Sequence, residues 1–191
     1  MKKYNALILT VLITIFITTG CKKEKKAEID LPIVVELDGF IGSSFNSVEE
    51  KFIKRGLSLI ESKSGYSEYL KVENNDSSYY FINYDADNNN ITSAYYFIYT
   101  GGKRGNLVKK ILEMGDECES FAGVKNYKEG YVRSGTDFEI YVSTHRQFTD
   151  SLLRYTNTID NCYEYWIKDS KEYCPEYDNV RFKVGVRFIG K

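Results

Sequence analysis

Proline and histidine are scarce in this sequence, which has two prolines, Pro32 and Pro175, and one histidine, His145. It contains no Cys-x-x-Cys pair and no second histidine, so the ligand spacings of common structural zinc sites are missing. It also lacks the Gly-x-Ser-x-Gly motif that carries the nucleophile of α/β-hydrolases. We therefore predict no catalytic residue, no metal site and no cofactor.

A large excess of either charge is also missing. The 26 basic and 27 acidic residues give a formal net charge of −1, and no basic patch dominates the sequence. Nucleic-acid-binding proteins usually carry such a patch to neutralise phosphates. The sequence therefore predicts no nucleic-acid partner.

The one long apolar run lies at the start of the chain. Lys2 and Lys3 precede an uncharged segment, residues 4–20, whose apolar core spans residues 6–17. This core has the length of a secretory h-region, about 7–15 residues, and is shorter than the roughly 20 residues of a membrane-spanning helix. Gly20 and Cys21 close the segment.

Residues 1–21 resemble the signal peptide of a bacterial lipoprotein, in which a small residue precedes the cysteine that is lipidated. The resemblance implies that residues 1–20 are removed and that Cys21 carries acyl chains such as palmitate. These chains would anchor the protein in the lipid bilayer of the cell membrane or outer membrane, facing the periplasm or the cell surface. An uncleaved anchor helix is the alternative interpretation.

Residues 21–30 follow as a short segment of mixed charge without apolar periodicity. Such a segment is typical of a flexible, solvated tether. Alternatively, its lysines contact anionic lipid head groups or act as an export signal.

Three cysteines remain beyond Cys21: Cys118, Cys162 and Cys174. An exported protein meets an oxidising environment in which disulfides persist, and an odd number allows at most one internal bridge. We predict a disulfide between Cys162 and Cys174, because a hairpin could close the short segment between them. A bridge between Cys118 and Cys162 is the alternative.

The aromatic content is high, with 17 tyrosines and 11 phenylalanines, and these residue types favour strands. We predict that residues 31–191 form a single α+β domain. Helical and strand patterns do not alternate regularly, so a parallel doubly wound sheet is not expected. We expect a mainly antiparallel sheet of five to seven strands with about three helices on one face.

Hydrophobic periodicity predicts helices at residues 48–62, 107–114 and 148–159. Strands are predicted at residues 69–73, 78–84, 94–100, 137–144, 162–168 and 179–189. The strands at 78–84 and 94–100 are aromatic on both faces, so we expect them to lie centrally and to be covered on both sides. Between them, residues 85–90 are predicted to be a polar hairpin turn. Their match to an EF-hand calcium loop stops after three ligand positions, and a calcium loop of another type is the alternative, because carboxylate and amide oxygens suit this ion.

A basic stripe occurs on the last predicted strand. Arg181, Lys183 and Arg187 alternate with apolar residues, so they are predicted to share one face. They could bind an acidic glycan or an acidic protein surface. The alternative is a solvated row paired with acidic residues of segment 172–178.

Three function classes remain open from the sequence. A lipid-anchored domain that binds a protein or a glycan is favoured, because tyrosines provide a large rigid contact area with a polar tip. The second class is an inhibitor or immunity-type protein, whose marker would be a protruding loop at residues 115–131 or 169–178. The third is a hydrolase of envelope polymers, whose marker would be His145 or carboxylates converging in a pocket with shifted pKa values.

Overall fold

The computed structural model describes residues 31–73, 76–99, 104–135, 137–178 and 183–190. The predicted signal peptide and tether, residues 1–30, lie outside these ranges. Among the helices of the described ranges, none is both long and apolar enough to cross a membrane.

Four α-helices and one short 3-10 helix form within the described residues. Their bounds are Ile33–Phe40 (α1), Phe45–Lys54 (α2), Arg104–Ala122 (α3), Val124–Asn126 (the 3-10 helix) and His145–Tyr155 (α4). About three helices were expected, and α1 is the helix that was not predicted. It is short, but its buried residues Val34, Leu37 and Phe40 follow helical spacing.

Nine strands form one sheet in the described part of the chain, and each pairing is antiparallel. The strand bounds are Ser58–Lys63 (β1), Tyr66–Glu73 (β2), Asp76–Tyr84 (β3), Ile91–Tyr99 (β4), Tyr127–Ser134 (β5), Phe138–Val142 (β6), Asn161–Lys168 (β7), Lys171–Asp178 (β8) and Lys183–Ile189 (β9). The order across the sheet is β1-β2-β3-β4-β9-β8-β7-β5-β6. The predicted α+β class with an antiparallel sheet is confirmed, whereas five to seven strands was too few.

The helices pack on one face of the sheet, here called the helix face. Two buried clusters join helices to strands, and their strand residues come from this face alone. In the first cluster, the ring of Phe52 from α2 lies 4.9 Å from that of Tyr69 and 4.8 Å from that of Tyr80. In the second, Phe148 and Leu152 of α4 are fully buried with strand residues such as Val132. Burial of these large apolar side chains is the main stabilising term that holds the helices on the sheet.

The predicted helix at residues 48–62 is correct only in its first half. α2 ends at Lys54, and Gly56 adopts a φ of +77°, a left-handed conformation that suits glycine at a helix end. Ile60, which falls within the predicted helix, instead lies in β1 and is 51% exposed. The register of β1 with β2 then closes a hairpin at Gly65, which also has a φ of +77°.

The helix predicted at residues 107–114 continues to Ala122 as α3. Gly115 was expected to end it, but this glycine lies inside the helix and faces buried side chains. The two segments in which a protruding loop would have marked an inhibitor, residues 115–131 and 169–178, contain helix, β5 and β8 instead. The loops that would mark an inhibitor are absent from these described segments.

β8 is not among the predicted strands, and it contains Pro175, a residue type that is unusual in an interior strand. The strand nevertheless pairs with both β7 and β9. Its ladder with β7 is interrupted between the pairs Tyr163–Glu176 and Trp166–Tyr173, where Pro175 lies. The interruption is expected because proline has no backbone N–H to donate.

The predicted hairpin of β3 and β4 is confirmed, with residues 85–90 as its polar connection. Oδ1 of Asp85 accepts a hydrogen bond from the backbone N–H of Asp87 at 2.8 Å, and Asn89 has a φ of +62°. The two strands are the third and fourth of nine, so they are central as expected. Their helix-side residues are covered, but no helix of the described chain packs on their other side.

Candidate functional site

The face opposite the helices is rich in aromatic side chains and is here called the helix-free face. Because residues that oppose each other in antiparallel strands share a face, the register assigns its members. Ten aromatic residues occupy it: Tyr66, Tyr79, Phe81, Tyr95, Phe97, Tyr99, Tyr131, Tyr141, Tyr163 and Tyr165. Seven of them are half-buried and Phe97 is buried, whereas Tyr99 is 40% and Tyr141 74% exposed.

One part of this surface lies over β3 and β4. The ring of Phe81 lies 5.6 Å from that of Phe97, and the ring of Tyr79 lies 5.2 Å from that of Tyr99. Both contacts are edge-to-face, the arrangement that aromatic quadrupoles favour. The rings therefore hold each other in place and present a rigid surface.

The second part lies over β5, β6 and β7. The ring of Tyr131 lies 4.9 Å from that of Tyr141 and 5.6 Å from that of Tyr163. Beside it is a shallow pocket of about 270 Å³. Its lining includes Tyr131, Tyr163, Asn161, Glu176 and Asp178, which combine aromatic surface with amide and carboxylate oxygens.

The predicted basic stripe is only partly placed by the structure. Arg181 lies outside the described residues, while the backbones of Lys183 and Arg187 belong to β9. Lys183 is in register with Tyr99 on one side and Asp178 on the other. This register agrees with the alternative in which the stripe lies beside the acidic segment 172–178.

A second candidate site, on the helix face, is centred on His145. Its Nδ1 lies 2.6 Å from Oε1 of Glu164, and its Nε2 lies 3.0 Å from Oδ1 of Asp116. The imidazole is 5% exposed and Glu164 is fully buried, but the side chain of Asp116 is 74% exposed. The histidine therefore connects an interior carboxylate to one at the surface.

Two glycines make room for this buried group. A Cβ atom at Gly115 of α3 would lie 2.5 Å from Oε2 of Glu164 and 2.9 Å from Cε1 of His145. A side chain at Gly130 of β5 would collide with the hydroxyl of Tyr127, which reaches toward Glu164. Helix and strand can therefore approach the ion pair only because both positions lack a side chain.

Burial and proximity shift the titration of both members of the pair. Burial alone would lower the pKa of His145, but its hydrogen bond to Glu164 and the charge of that carboxylate raise it to about 9. Burial raises the pKa of Glu164 to about 7, although His145 acts in the opposite direction. Near neutral pH the imidazole of His145 is thus held protonated, whereas the carboxyl group of Glu164 is only partly ionised.

This geometry limits what His145 can do chemically. Both ring nitrogens are engaged by carboxylates, and no hydroxyl or thiol of the described residues bonds to the imidazole, so a serine- or cysteine-type triad is not assembled. Among the same residues, no group of three or more His, Cys, Asp or Glu side chains is arranged to hold a metal ion. What the arrangement offers is proton exchange at the imidazole, whose Nδ1 lies beside a buried carboxyl group and whose Nε2 lies beside one at the surface.

Sequence reasoning missed Glu164 and Asp116. The alternation within β7 carries a signal for the first: Glu164 is flanked by Cys162 and Trp166, and all three are buried. A carboxylate at an inward position of such a strand needs a partner. Asp116 has no comparable signal, since it is an exposed residue of a helix surface.

The predicted disulfide between Cys162 and Cys174 is wrong, because all three described cysteines are buried free thiols. Cys162 is in register with Tyr177, three residues from Cys174, so the two thiols are offset by about 10 Å along the strands. An odd offset also places them on opposite faces of the sheet. Disulfide geometry requires Cα atoms within about 7 Å.

The chain was also compared with known proteins. No family model, no curated protein and no solved structure matches it.

Proposed function

We propose that this chain is a lipid-anchored cell-envelope protein whose domain binds a protein or a glycan through the helix-free face. The observation that carries the proposal is the row of partly exposed aromatic rings on a sheet face that no described helix covers. Tyrosine and tryptophan are enriched at binding surfaces because they combine a large apolar area with a polar tip. The resemblance of residues 1–21 to a lipoprotein signal supplies the proposed location.

The pocket beside Tyr131 is the part of this face best suited to a ligand. Among its lining residues, Tyr131 and Tyr163 offer stacking surfaces, while Asn161 and Glu176 offer hydrogen-bonding groups. Binding sites commonly combine an apolar floor with a few polar groups that set orientation. We therefore expect substitutions here to affect binding most.

The binding proposal is tested by capture from the native envelope. The full chain, purified in detergent and immobilised, is exposed to an envelope extract, and retained material is identified by mass spectrometry and glycan analysis. We expect a structural protein or a glycan that is lost with the double variant Tyr131→Ala/Tyr163→Ala. The variant Leu153→Ala is the control, because Leu153 is 61% exposed on α4, away from this face.

Retention that survives the double tyrosine variant would overturn the role of the helix-free face, and a retained enzyme would indicate an inhibitor instead. Retention of nothing would overturn the binding proposal.

The proposed anchor has its own test. Cys21→Ser should move the protein from the membrane fraction to the soluble fraction, because stable anchoring by acyl chains requires the lipidated cysteine. Tight retention of the variant in the membrane would favour an uncleaved anchor helix.

A second candidate function, hydrolysis of envelope polymers, is favoured by the meeting of His145 with Asp116 and Glu164. Such a group could exchange protons with a substrate that displaces Asp116 from Nε2. Release of soluble fragments from labelled peptidoglycan would support this function if Glu164→Gln abolished it. Absence of release, or release that Glu164→Gln leaves unchanged, would exclude it.

A further inference from the structure

The strand β6 forms one edge of the described sheet. It pairs with β5 from Gly130–Val142 to Ser134–Phe138 without a bulge, and no described strand lies on its other side. In an antiparallel strand, alternate residues point N–H and C=O groups away from the partner. These groups form a template for another extended chain.

The opposite edge, β1, is less suited to such pairing. Its register with β2 is irregular between Leu59 and Glu61, and Lys63 stands at its end. Bulges and lysines on edge strands are features that hinder the addition of further strands. β6 carries neither.

A groove runs beside β6, between this strand and α4. Its volume is about 410 Å³, and the residues used here are Ile140 and Val142 of the strand and Gln147, Asp150, Ser151 and Arg154 of the helix. The helix residues recur at intervals of three and four, so they form one stripe along the groove. A peptide added to β6 would therefore place alternate side chains against α4.

Two charges on this stripe are available to a partner. Asp150 and Arg154 are exposed, and neither forms an ion pair or a side-chain hydrogen bond within the described chain. They are one helical turn apart, about 6 Å along the axis. Same-side residues of an extended peptide are spaced by about 6.6 Å, so two successive inward side chains can meet both charges.

The direction of the peptide follows from the topology. Two residues connect β6 to α4 and both elements line the groove, so the helix returns alongside the strand. A strand added antiparallel to β6, as in every other pairing of this sheet, would run in the direction of α4. It would meet Asp150 before Arg154.

We propose that the groove between β6 and α4 binds an extended segment of a partner protein as an additional antiparallel strand. The segment has a basic residue facing Asp150 and, two positions later, an acidic residue facing Arg154. Backbone hydrogen bonds to β6 provide the affinity and the two charges set the register, as in other cases of strand addition. This groove adjoins the helix-free face at Tyr141, but its charged residues, Asp150 and Arg154, do not line the pocket beside Tyr131. The proposal therefore goes beyond the binding role proposed above.

The test uses a phage library of random heptapeptides selected on the full chain in detergent. We expect enrichment of peptides with the order basic-x-acidic, and protection of β6 amides from hydrogen exchange when a synthetic copy of an enriched peptide is added. The double variant Asp150→Lys/Arg154→Glu should bind this peptide about tenfold more weakly, because two exposed attractions become repulsions. It should bind better a peptide in which the two charges are exchanged.

Arg146→Glu is the matched control, since Arg146 is an exposed residue of α4 outside the groove. The affinity of this variant for the enriched peptide should stay unchanged. Methylation of alternate backbone nitrogens of the peptide should abolish binding. The proposal is overturned if no peptide is enriched, if the charge-exchanged variant binds as tightly as the original chain, or if N-methylation has no effect. None of these readouts depends on Tyr131 or Tyr163, so the groove and the pocket can fail separately.

Discussion

The Oε1 atom of Glu164 lies 2.6 Å from the Nδ1 atom of His145, although 19 residues separate them along the chain. α4 brings the histidine and β7 brings the glutamate, and the absence of a side chain at Gly115 allows α3 to cover both. A buried carboxylate without a partner would be costly, and the hydrogen bond and positive charge of His145 offset part of the burial that raises the pKa of Glu164 to about 7.

The first prediction concerns the titration of His145. Because this is the single histidine of the chain, its imidazole signal in NMR spectra needs no assignment against others. We expect a pKa of about 9, since Glu164 stabilises the protonated ring. In Glu164→Gln the pKa should fall well below that of the original chain, because burial still disfavours the charge and the compensating carboxylate is gone. An unchanged value in the variant would contradict the pairing.

The second prediction is that the folded state loses stability as the pH rises. The pKa of His145 is raised from 6.5 to about 9, so its contribution is complete below 6.5 and is lost by about 9. The pKa of Glu164 is raised from 4.5 to about 7, so the folded state also holds its proton longer than the unfolded chain. One extra bound proton corresponds to about 1.4 kcal/mol per pH unit.

Thermal unfolding followed between pH 5 and pH 9 checks this prediction, with the melting temperature expected to decline across that window. The double variant His145→Gln/Glu164→Gln should decline less, because both titrating groups are removed. An equal slope in the two proteins would assign the pH dependence to other groups.

The third prediction concerns the helix glycine next to the ion pair. Gly115→Ala should lower the free energy of unfolding by about 1–3 kcal/mol, because the added methyl overlaps Glu164 and His145. Helix propensity alone would favour alanine by about 1 kcal/mol. A loss of stability would therefore indicate overlap with the ion pair, whereas a gain would indicate that helix propensity dominates.

Gly39→Ala provides the control for this substitution. Gly39 lies in α1, and a Cβ atom there would have no atom within 4 Å. Denaturant unfolding should show this variant to be as stable as the original chain or slightly more stable. A stabilising effect of Gly115→Ala would show that the pair is not tightly packed.

The fourth prediction is that the domain does not depend on a disulfide. Cys118, Cys162 and Cys174 are buried free thiols, and burial raises the pKa of Cys118 and Cys162 well above the usual range. We expect the same melting temperature with and without a reducing agent, and we expect a thiol reagent to modify each of Cys118, Cys162 and Cys174 after unfolding without reduction. A melting temperature lowered by reduction would restore the bridge that the sequence suggested, since loss of a disulfide costs about 2–5 kcal/mol.

The strand patterns were the most predictable part of the fold. β6 and β7 follow strict alternation, and β3 and β4 combine aromatic residues with a polar turn, so local pattern and tertiary burial agree. The prediction failed where the two disagree. Ile60 continues the helical spacing of α2 but follows Gly56, whose left-handed backbone ends the helix. β8 is a strand despite Pro175, because neighbours on both sides supply the rest of its ladder.

The buried pair could be predicted only in part. The alternation of β7 places Glu164 inward, which indicates that a partner is needed, but it does not name the partner. Only the packing of α4 against the sheet identifies His145, and this contact depends on two glycines far apart in sequence. The basic stripe, by contrast, was predicted from alternation along the last strand. Its neighbours in the sheet, β4 and β8, could not be predicted from that alternation.

The single tryptophan of the chain lies against the single histidine, with ring centroids 5.6 Å apart. Trp166 is fully buried, so bulk solvent and dissolved quenchers reach it poorly. A protonated imidazole accepts an electron from an excited indole far more readily than a neutral one. Light emission from Trp166 should therefore brighten as His145 loses its proton, giving an unlabelled optical signal from the interior of the protein.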